Sequence, residues 1–516
     1  MSSKAIDEII TGLKDGKEIT SLKKAVAKKY RLAKIPTNPQ ILAATEQKDR
    51  PYLEPILRKK PIRTISGIAV VAVMARPYPC PGECIYCPQG EGFPKSYTGR
   101  EPAAMRAKRS NFDPYLQVKD RLSQLEQIGH AVDKAELIIM GGTFNAQPKE
   151  YQDGFVTRCL DAMNDFGYVE KQSSHHLLKA QTYNEKAQVR NVGITLETRP
   201  DYCKKEHVDE MLRLGVTRVE VGVQSIIKGV YEKVRRGHTI EDVAVATRIT
   251  RDAGIKVGYH MMPGLFAGYE EDLLQFRELF SNPNYKPDFL KIYPTLIIKG
   301  TKLYELWMHG KYAPYNDAEA LELLVEVKKL LPKWTRVMRI QRDIPRYLIE
   351  AGVKKGDLGA KVYNRVRNCR CIRCREAGHK SRAGISIDWR RVEILTEIYE
   401  ASGGKEYFIS AEDPLSDVLI AYLRLRFPSE KAYRMKVSKS ALVRELRVLG
   451  RALSLGVRDA REKQHRGLGM ELLLRAEETV VAEGYKQLLI TSAIGTREYY
   501  RKLGYRRVGP YMGKIL

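Results

Sequence analysis

Six short runs rich in β-branched residues recur between residues 68 and 335, each separated from the next by a stretch of helical periodicity. They cover 68–74, 136–140, 192–197, 218–223, 256–261 and 288–293, with segments such as PYLQVKDRLSQLEQIGH and EHVDEMLRLG between them. Parallel strands need long crossover connections, and a helix supplies one. The alternation therefore predicts a parallel sheet covered by helices and curled into a full or partial barrel. In such folds the chemistry collects at the C-terminal ends of the strands.

The chain is long enough for more than this one unit. Its 516 residues correspond to about three or four domains at roughly 100–200 residues each. Hydrophobic residues make up 43% and charged residues 29%, which excludes a largely disordered chain. With 89 Lys and Arg against 62 Asp and Glu, the formal net charge is +27. A surplus of that size points to a polyanionic partner, nucleic acid before membrane. The longest apolar run, 65–75, falls far short of the ~20 residues of a spanning helix. The N-terminus has no apolar signal core. A soluble cytoplasmic protein is expected, with its eight cysteines reduced.

Six of those cysteines form two triplets, Cys80, Cys84 and Cys87, and Cys369, Cys371 and Cys374. Two triplets at ligand-like spacing suggest two metal centres rather than disulfides. Cys159 and Cys203 stand apart and read as small buried hydrophobes. The first triplet follows the first strand, on the catalytic face. Three thiolates on one short loop can hold three irons of a [4Fe-4S] cluster and leave the fourth open to a small chelating molecule. The alternative is structural zinc with a distant fourth ligand. The second triplet lies in KVYNRVRNCRCIRCREAGHKSRAG, which carries eight Lys or Arg and one acidic residue. Its three thiolates suit Zn²⁺ if a fourth group joins, with His379 the nearest candidate and a ligand from elsewhere in the fold equally open. Residues 1–60 add 14 Lys or Arg against 7 Asp or Glu. There the run SLKKAVAKKYRLAKIP reads as a basic amphipathic helix stopped by Pro36, either a solvated face or a nucleic-acid contact.

The first triplet, with Tyr86 before its last cysteine, and the strand pattern around it resemble the radical S-adenosylmethionine (SAM) superfamily. Gly141 and Gly142, followed by Thr143, resemble that superfamily's glycine pair for the methionine amino group, with Thr in place of the usual Glu. Gln224, Ser225 and His260 would complete the SAM pocket. The stretch KSYTGREPAAMRA at 95–107, together with GITLETRPDYC from Gly193 and the C-terminal half, resembles the family of the catalytic third subunit of elongator, and its archaeal members most. In the C-terminal region, Gln464, Gly467, Leu468, Gly469 and Met470 open a long helix after a strand. Such a turn presents backbone amides and a helix dipole to an anion. It resembles the pyrophosphate loop of the GNAT acetyltransferases.

The resemblance implies an α/β protein. A partial TIM-type (β/α)6 radical SAM barrel at 61–335 and a GNAT α/β domain at 385–516 would be joined by a small Cys-rich zinc linker at 336–384 and preceded by a basic tRNA-binding segment at 1–60. It implies acetyl-CoA held by the strand Glu445, Leu446, Arg447 and Val448, by the glycine turn, by Tyr500 with Tyr499 packing beside it, and by Lys134 from the barrel. Lys134 and Tyr500 are the expected catalytic pair. The implied activity is carboxymethylation of the wobble uridine of tRNA. A SAM-derived radical would activate the methyl of acetyl-CoA for addition to carbon 5 of the base. The expected partners are the anticodon stem-loop, an electron donor for the cluster and, in some assemblies, a second copy of the chain. Two other readings compete. A protein-lysine acetyltransferase would use the barrel as a platform and need no SAM, and a tRNA-binding scaffold would show no turnover.

Overall fold

The computed structural model describes residues 3–59, 66–170, 174–434, 437, 439–450 and 467–516. The chain begins with four helices, Ser3–Lys14, Ile19–Lys29, Asn38–Ala44 and Arg50–Leu57. They share a core of Ile9, Leu13, Val26, Ile41, Leu53 and Leu57. The basic run expected as one helix to Pro36 ends earlier: its helix stops at Lys29 and the chain turns through a left-handed Arg31. Two of its cations are taken up by partners on the same bundle. Lys29 pairs with Glu8 at 2.8 Å, and Lys23 donates to Asn38 at 2.9 Å. Lys24 and Lys28 remain exposed.

Strands β1 (Ala69–Met74), β2 (Lys134–Met140), β3 (Arg190–Thr198), β4 (Arg218–Gln224), β5 (Lys256–Met261), β6 (Phe289–Ile292) and β7 (Arg336–Ile340) form one sheet in chain order. Every neighbouring pair is parallel. The first six strands are those expected from the sequence. The seventh is not, since RVMRI carries two arginines and no long apolar run, and it lies just past the expected boundary at residue 335. Outward residues such as Val219, Val221, Val257 and Ile292 pack under the covering helices in the main core. The same core holds Cys159 and Cys203, both fully buried.

The second sheet comprises β8 (Glu393–Ala401), β9 (Gly404–Asp413), β10 (Val418–Phe427), β11 (Ala441–Val448), β12 (Gln487–Ile490), β13 (Arg506–Val508) and β14 (Tyr511–Ile515), in the order β8-β9-β10-β11-β12-β14-β13. Among its described strand pairs, β11 with β12 is the parallel one. That contact runs from Ala441 to Val443 against Leu488 to Ile490 and then stops, while β11 continues along β10. The two strands therefore splay. The turn Ile494–Thr496, beyond β12, packs on β3, where a Cβ on Gly495 would fall 2.6 Å from Arg190 Cβ. Only glycine permits that approach.

The two sheets are joined through buried charge. Arg444 donates to both Asp288 oxygens at 2.7 and 2.8 Å and to Glu406 at 2.8 Å. Arg251 meets Glu406 at 2.9 Å, and Arg426 meets Asp252 at 2.6 Å and Glu406 at 2.9 Å. All of these side chains are almost wholly buried. No helix among the described residues is long and apolar enough to cross a membrane.

Candidate active site

The C-terminal ends of the first sheet enclose a chamber, and Cys80, Cys84 and Cys87 line one side of it. Cys84 is buried, and Arg236 donates to its Sγ at 3.2 Å. A hydrogen bond from Cys87 and the Arg236 guanidinium together outweigh burial and pull the Cys84 thiol down to about 4. Cys87 is pushed up as the other half of that pair. Cys80 Sγ lies 3.8 Å from Thr143 Oγ1.

Opposite the cysteines, β2 ends in Gly141 and Gly142, both with positive φ. A Cβ on Gly141 would press on Ala75 at 3.1–3.3 Å, whereas Gly142 faces the chamber. Gln224 and His260 line the chamber as well. Gln224 holds a left-handed φ of 70°. Ser225, just past that turn, is buried with its hydroxyl toward Gln275 and accepting from the Ile227 amide at 3.1 Å. The expected SAM residues thus divide into three at the chamber wall and two, Gly141 and Ser225, that shape the chain behind it.

Residues that the sequence reading did not assign complete the wall. Lys291 sits between Glu197, at 3.0 Å, and Glu220. Tyr97 donates to Glu197 at 3.1 Å, and His260 Nε2 lies 3.0 Å from Glu220. Burial would raise Glu220, but Lys291, His260 and Arg218 hold its carboxyl well below the usual range. Glu197, Glu220 and His260 lie close enough to grip an ion. The Lys291 ammonium already supplies the positive charge there. Arg199 is fixed by Asp201, at 2.9 Å twice, and by the Arg236 carbonyl at 2.8 Å. Its Nη1 is buried and has no protein partner.

These features suit the expected group. A single zinc ion draws thiolates to within ~2.3 Å of itself. Cys80, Cys84 and Cys87 are not gathered that closely, whereas Cys369, Cys371 and Cys374 have sulfurs within 4.8 Å of one another. A wider thiolate set opening on a cavity, with an unpaired buried N–H beside it, fits a cluster plus a small ligand that carries a carboxylate.

The second triplet is gathered instead around a cation, with Cys369 and Cys374 at the edge of a groove. Fully buried Lys328 donates to Cys371 Sγ at 3.0 Å and Cys374 Sγ at 3.4 Å, with its ammonium 4.7 Å from the Tyr363 ring. His379, expected as the nearest fourth ligand, is not gathered with the sulfurs. Its Nε2 lies 3.3 Å from Glu376, which also holds Arg336. The arginines of this stretch also differ in role: Arg375 is buried against Glu412 and Asp417, while Arg367, Arg373 and Arg382 line an open groove with Arg339.

At the far end of the barrel, Lys134 begins β2 in register with Arg190, and burial holds its ammonium below the ordinary lysine value. Leu446, Arg447 and Val448 are half-buried along the splayed part of β11, whereas Glu445 turns inward to Arg424 at 2.9 Å. Gly467, with φ 78°, opens the helix Leu468–Ala482 and no side chain caps it. Leu468 is buried and Met470 exposed. A Cβ on Gly469 would meet Tyr499 Oη at 3.2 Å and Val448 at 3.7 Å. The Tyr499 hydroxyl faces the glycine turn, and Tyr500 is buried against Tyr499 and Tyr505. Gln464 lies outside the described residues.

Known proteins bear on this arrangement at three levels. Family models match the ELP3 N-terminal domain over residues 1–65, the Radical SAM superfamily over 78–280 and the Radical_SAM C-terminal domain over 287–368. The tRNA uridine(34) acetyltransferase of Methanocaldococcus infernus is 49% identical, over 99% of this chain and 98% of that one. Elongator complex protein 3 of Homo sapiens is 44% identical, over 99% and 96%. The solved structure of M. infernus Elp3 lacking residues 1–46 is similar with a TM-score of 0.77 at 47% identity, covering 88% of this chain and 100% of that one. With the cysteine-lined half-barrel in place and identity of this order over nearly the whole length, the chain belongs to the elongator complex protein 3 (Elp3) family of the radical SAM superfamily.

Proposed function

We propose that the chain modifies uridine 34 of tRNA, joining the methyl carbon of acetyl-CoA to carbon 5 of the base with loss of one hydrogen from each, and that water then cleaves the thioester, releasing coenzyme A and leaving 5-carboxymethyluridine. The name of the M. infernus relative, tRNA uridine(34) acetyltransferase, supports the position and the acyl donor class. One observation carries the chemistry: a thiolate-lined chamber lies at the C-terminal ends of the half-barrel strands, while Arg447 on the splayed part of β11 acts on Glu136 nearer their other ends.

Cys80, Cys84 and Cys87 would hold three irons of a [4Fe-4S] cluster, with SAM against Gly142, Gln224 and His260. When bound, that pair supplies a carbon-centred radical able to take hydrogen from an unactivated methyl group. The chain's own residues do the positioning. Arg199 offers its spare N–H to the carboxylate of bound SAM, while Lys291 pairs with Glu197 and Glu220 on the same wall. We read the second unit as a GNAT domain. The main chain of Glu445, Leu446, Arg447 and Val448 would pair with the acyl arm. The free amides after Gly467 and the Gln464 loop would receive the pyrophosphate. Lys134 and the tyrosine pair would flank the thioester. Zn²⁺ would join Cys369, Cys371 and Cys374 as a structural ion. The groove of Arg339, Arg367, Arg373 and Arg382 would take the phosphates of the anticodon loop. Lysine acetylation or RNA scaffolding alone would leave the chamber without a task.

The test is acetyl-CoA trideuterated on its methyl, incubated with the reconstituted chain, SAM, a reductant and tRNA. The reading expects two deuterons in the uridine product and the third in 5′-deoxyadenosine. Label confined to an acetyl group transferred intact would overturn it.

A further inference from the structure

The half-barrel has unusual chemistry on its inner face. Barrels of parallel strands ordinarily fill that space with branched aliphatic side chains. Here the inward positions of β2 are Lys134, Glu136, Ile138 and Met140, all half-buried, while Ala135, Leu137 and Ile139 between them are fully buried in the outer core. Met140 lines the cysteine chamber, and Lys134 stands at the opposite end. Seven residues at ~3.3 Å each make this an unbroken partly open wall of roughly 20 Å between the two sites.

Its neighbours keep it open and polar. On β3 the residue opposite Glu136 is Gly193, whose Cβ would lie 3.6 Å from the Glu136 side chain. Glu136 is held off the wall by Arg218 at 2.7 Å, and Arg218 continues to Glu220 at 3.4 Å on the chamber side. On the other flank Ile138 pairs in register with Ala72, a small half-buried residue. At the lower end Lys256 stands in register with Arg218, and Lys256 and Arg447 lower the Glu136 carboxyl while Glu445 acts on Lys256; Arg447 belongs to the splayed part of β11.

We propose that the inner face of β2, from Lys134 to Met140, is the track along which the acetyl end of acetyl-CoA passes from the splayed strands to the cysteine-lined chamber, bordered midway by the Glu136–Arg218 pair. The inference rests on the uridine-34 reading above. It answers the question that reading raises, namely how a methyl group anchored at one end of the barrel meets chemistry at the other.

Ile138 tests it, because it lies midway and touches neither site. An Ile138→Trp chain is expected to bind acetyl-CoA and to cleave SAM without tRNA within twofold of the parent, while deuterium transfer from trideuterated acetyl-CoA to 5′-deoxyadenosine falls at least tenfold. Ile138→Val should leave all three unchanged. A second readout needs no turnover. In Ile138→Cys, alkylation of that thiol by N-ethylmaleimide, mapped by mass spectrometry, should slow at least fivefold with saturating acetyl-CoA. Undiminished deuterium transfer in Ile138→Trp, or no protection of the introduced thiol, would overturn the track. If the parent chain itself transfers no deuterium, the uridine reading fails, and protection of Ile138→Cys still decides whether the acyl arm lies on β2.

Discussion

The two cysteine triplets look alike in sequence and sit in opposite surroundings. Around Cys84 the charge partner is Arg236, a guanidinium that contacts one sulfur from the side and leaves the front of the loop facing a chamber. Around Cys371 the partner is Lys328, a compact ammonium placed among the sulfurs and itself fully buried. An open thiolate set with a lateral cation can accept a large group and a substrate. A tight set gathered around a point charge suits a single small ion. The comparison teaches that spacing identifies ligands, while the nearest cation decides what the ligands are for.

The strongest way to break the comparison is to remove one cysteine from each. Cys84→Ala should abolish the iron–sulfur absorbance and SAM cleavage together while tRNA binding stays. Cys371→Ala should keep the iron stoichiometry and lose stability. Iron lost equally from both variants would end the distinction. Next in size is Lys328→Ala, which strands buried sulfur charge and should cost about 3–5 kcal/mol in chelator-stripped protein. Added zinc should recover most of it, measured by thermal unfolding with and without metal. Arg236→Gln should leave the cluster in place but shift its reduction to more negative potential and slow SAM cleavage ~10-fold, read by a redox titration followed by electron paramagnetic resonance. The smallest effect is expected at the groove beside the second triplet. Arg373→Gln with Arg382→Gln should weaken tRNA binding uniformly across sequences and flatten its dependence on log salt by about one unit per lost phosphate contact.

What the sequence disclosed follows from which interactions are local. The first six strands were legible because β-branched runs mark buried parallel strands. The Cys80 loop and the Gly141–Gly142 pair were legible because each motif is contiguous. β7 was missed because RVMRI owes its place to pairing with β6, not to its composition. The inner charges escaped for a related reason. Glu136, Arg218, Glu220 and Lys291 occupy alternate positions of strands whose other residues are apolar, and only closure of the sheet brings them together. Lys328 lies 43 residues before Cys371, and no local signal connects them. His379 was favoured by nearness in the chain, and Glu376 holds it away. Tyr499 and Tyr500 are adjacent on one short helix, so sequence alone could not say which faces the glycine turn.

The buried ions between the two sheets carry a consequence for how such a protein can be taken apart. Asp288 belongs to the first sheet's side and Arg444 and Glu406 to the second, so cutting the chain between the sheets would strand charges of both signs in newly exposed or collapsed surfaces. Losing one partner of a buried pair costs about 3–5 kcal/mol, a large share of what holds a domain folded. Each half is therefore the other's folding partner. We expect a single cooperative calorimetric transition for the intact chain, and neither half should be recoverable as a well-behaved fragment. A module welded in this way is passed on whole: its two halves cannot be shuffled separately among other proteins without first rebuilding the seam.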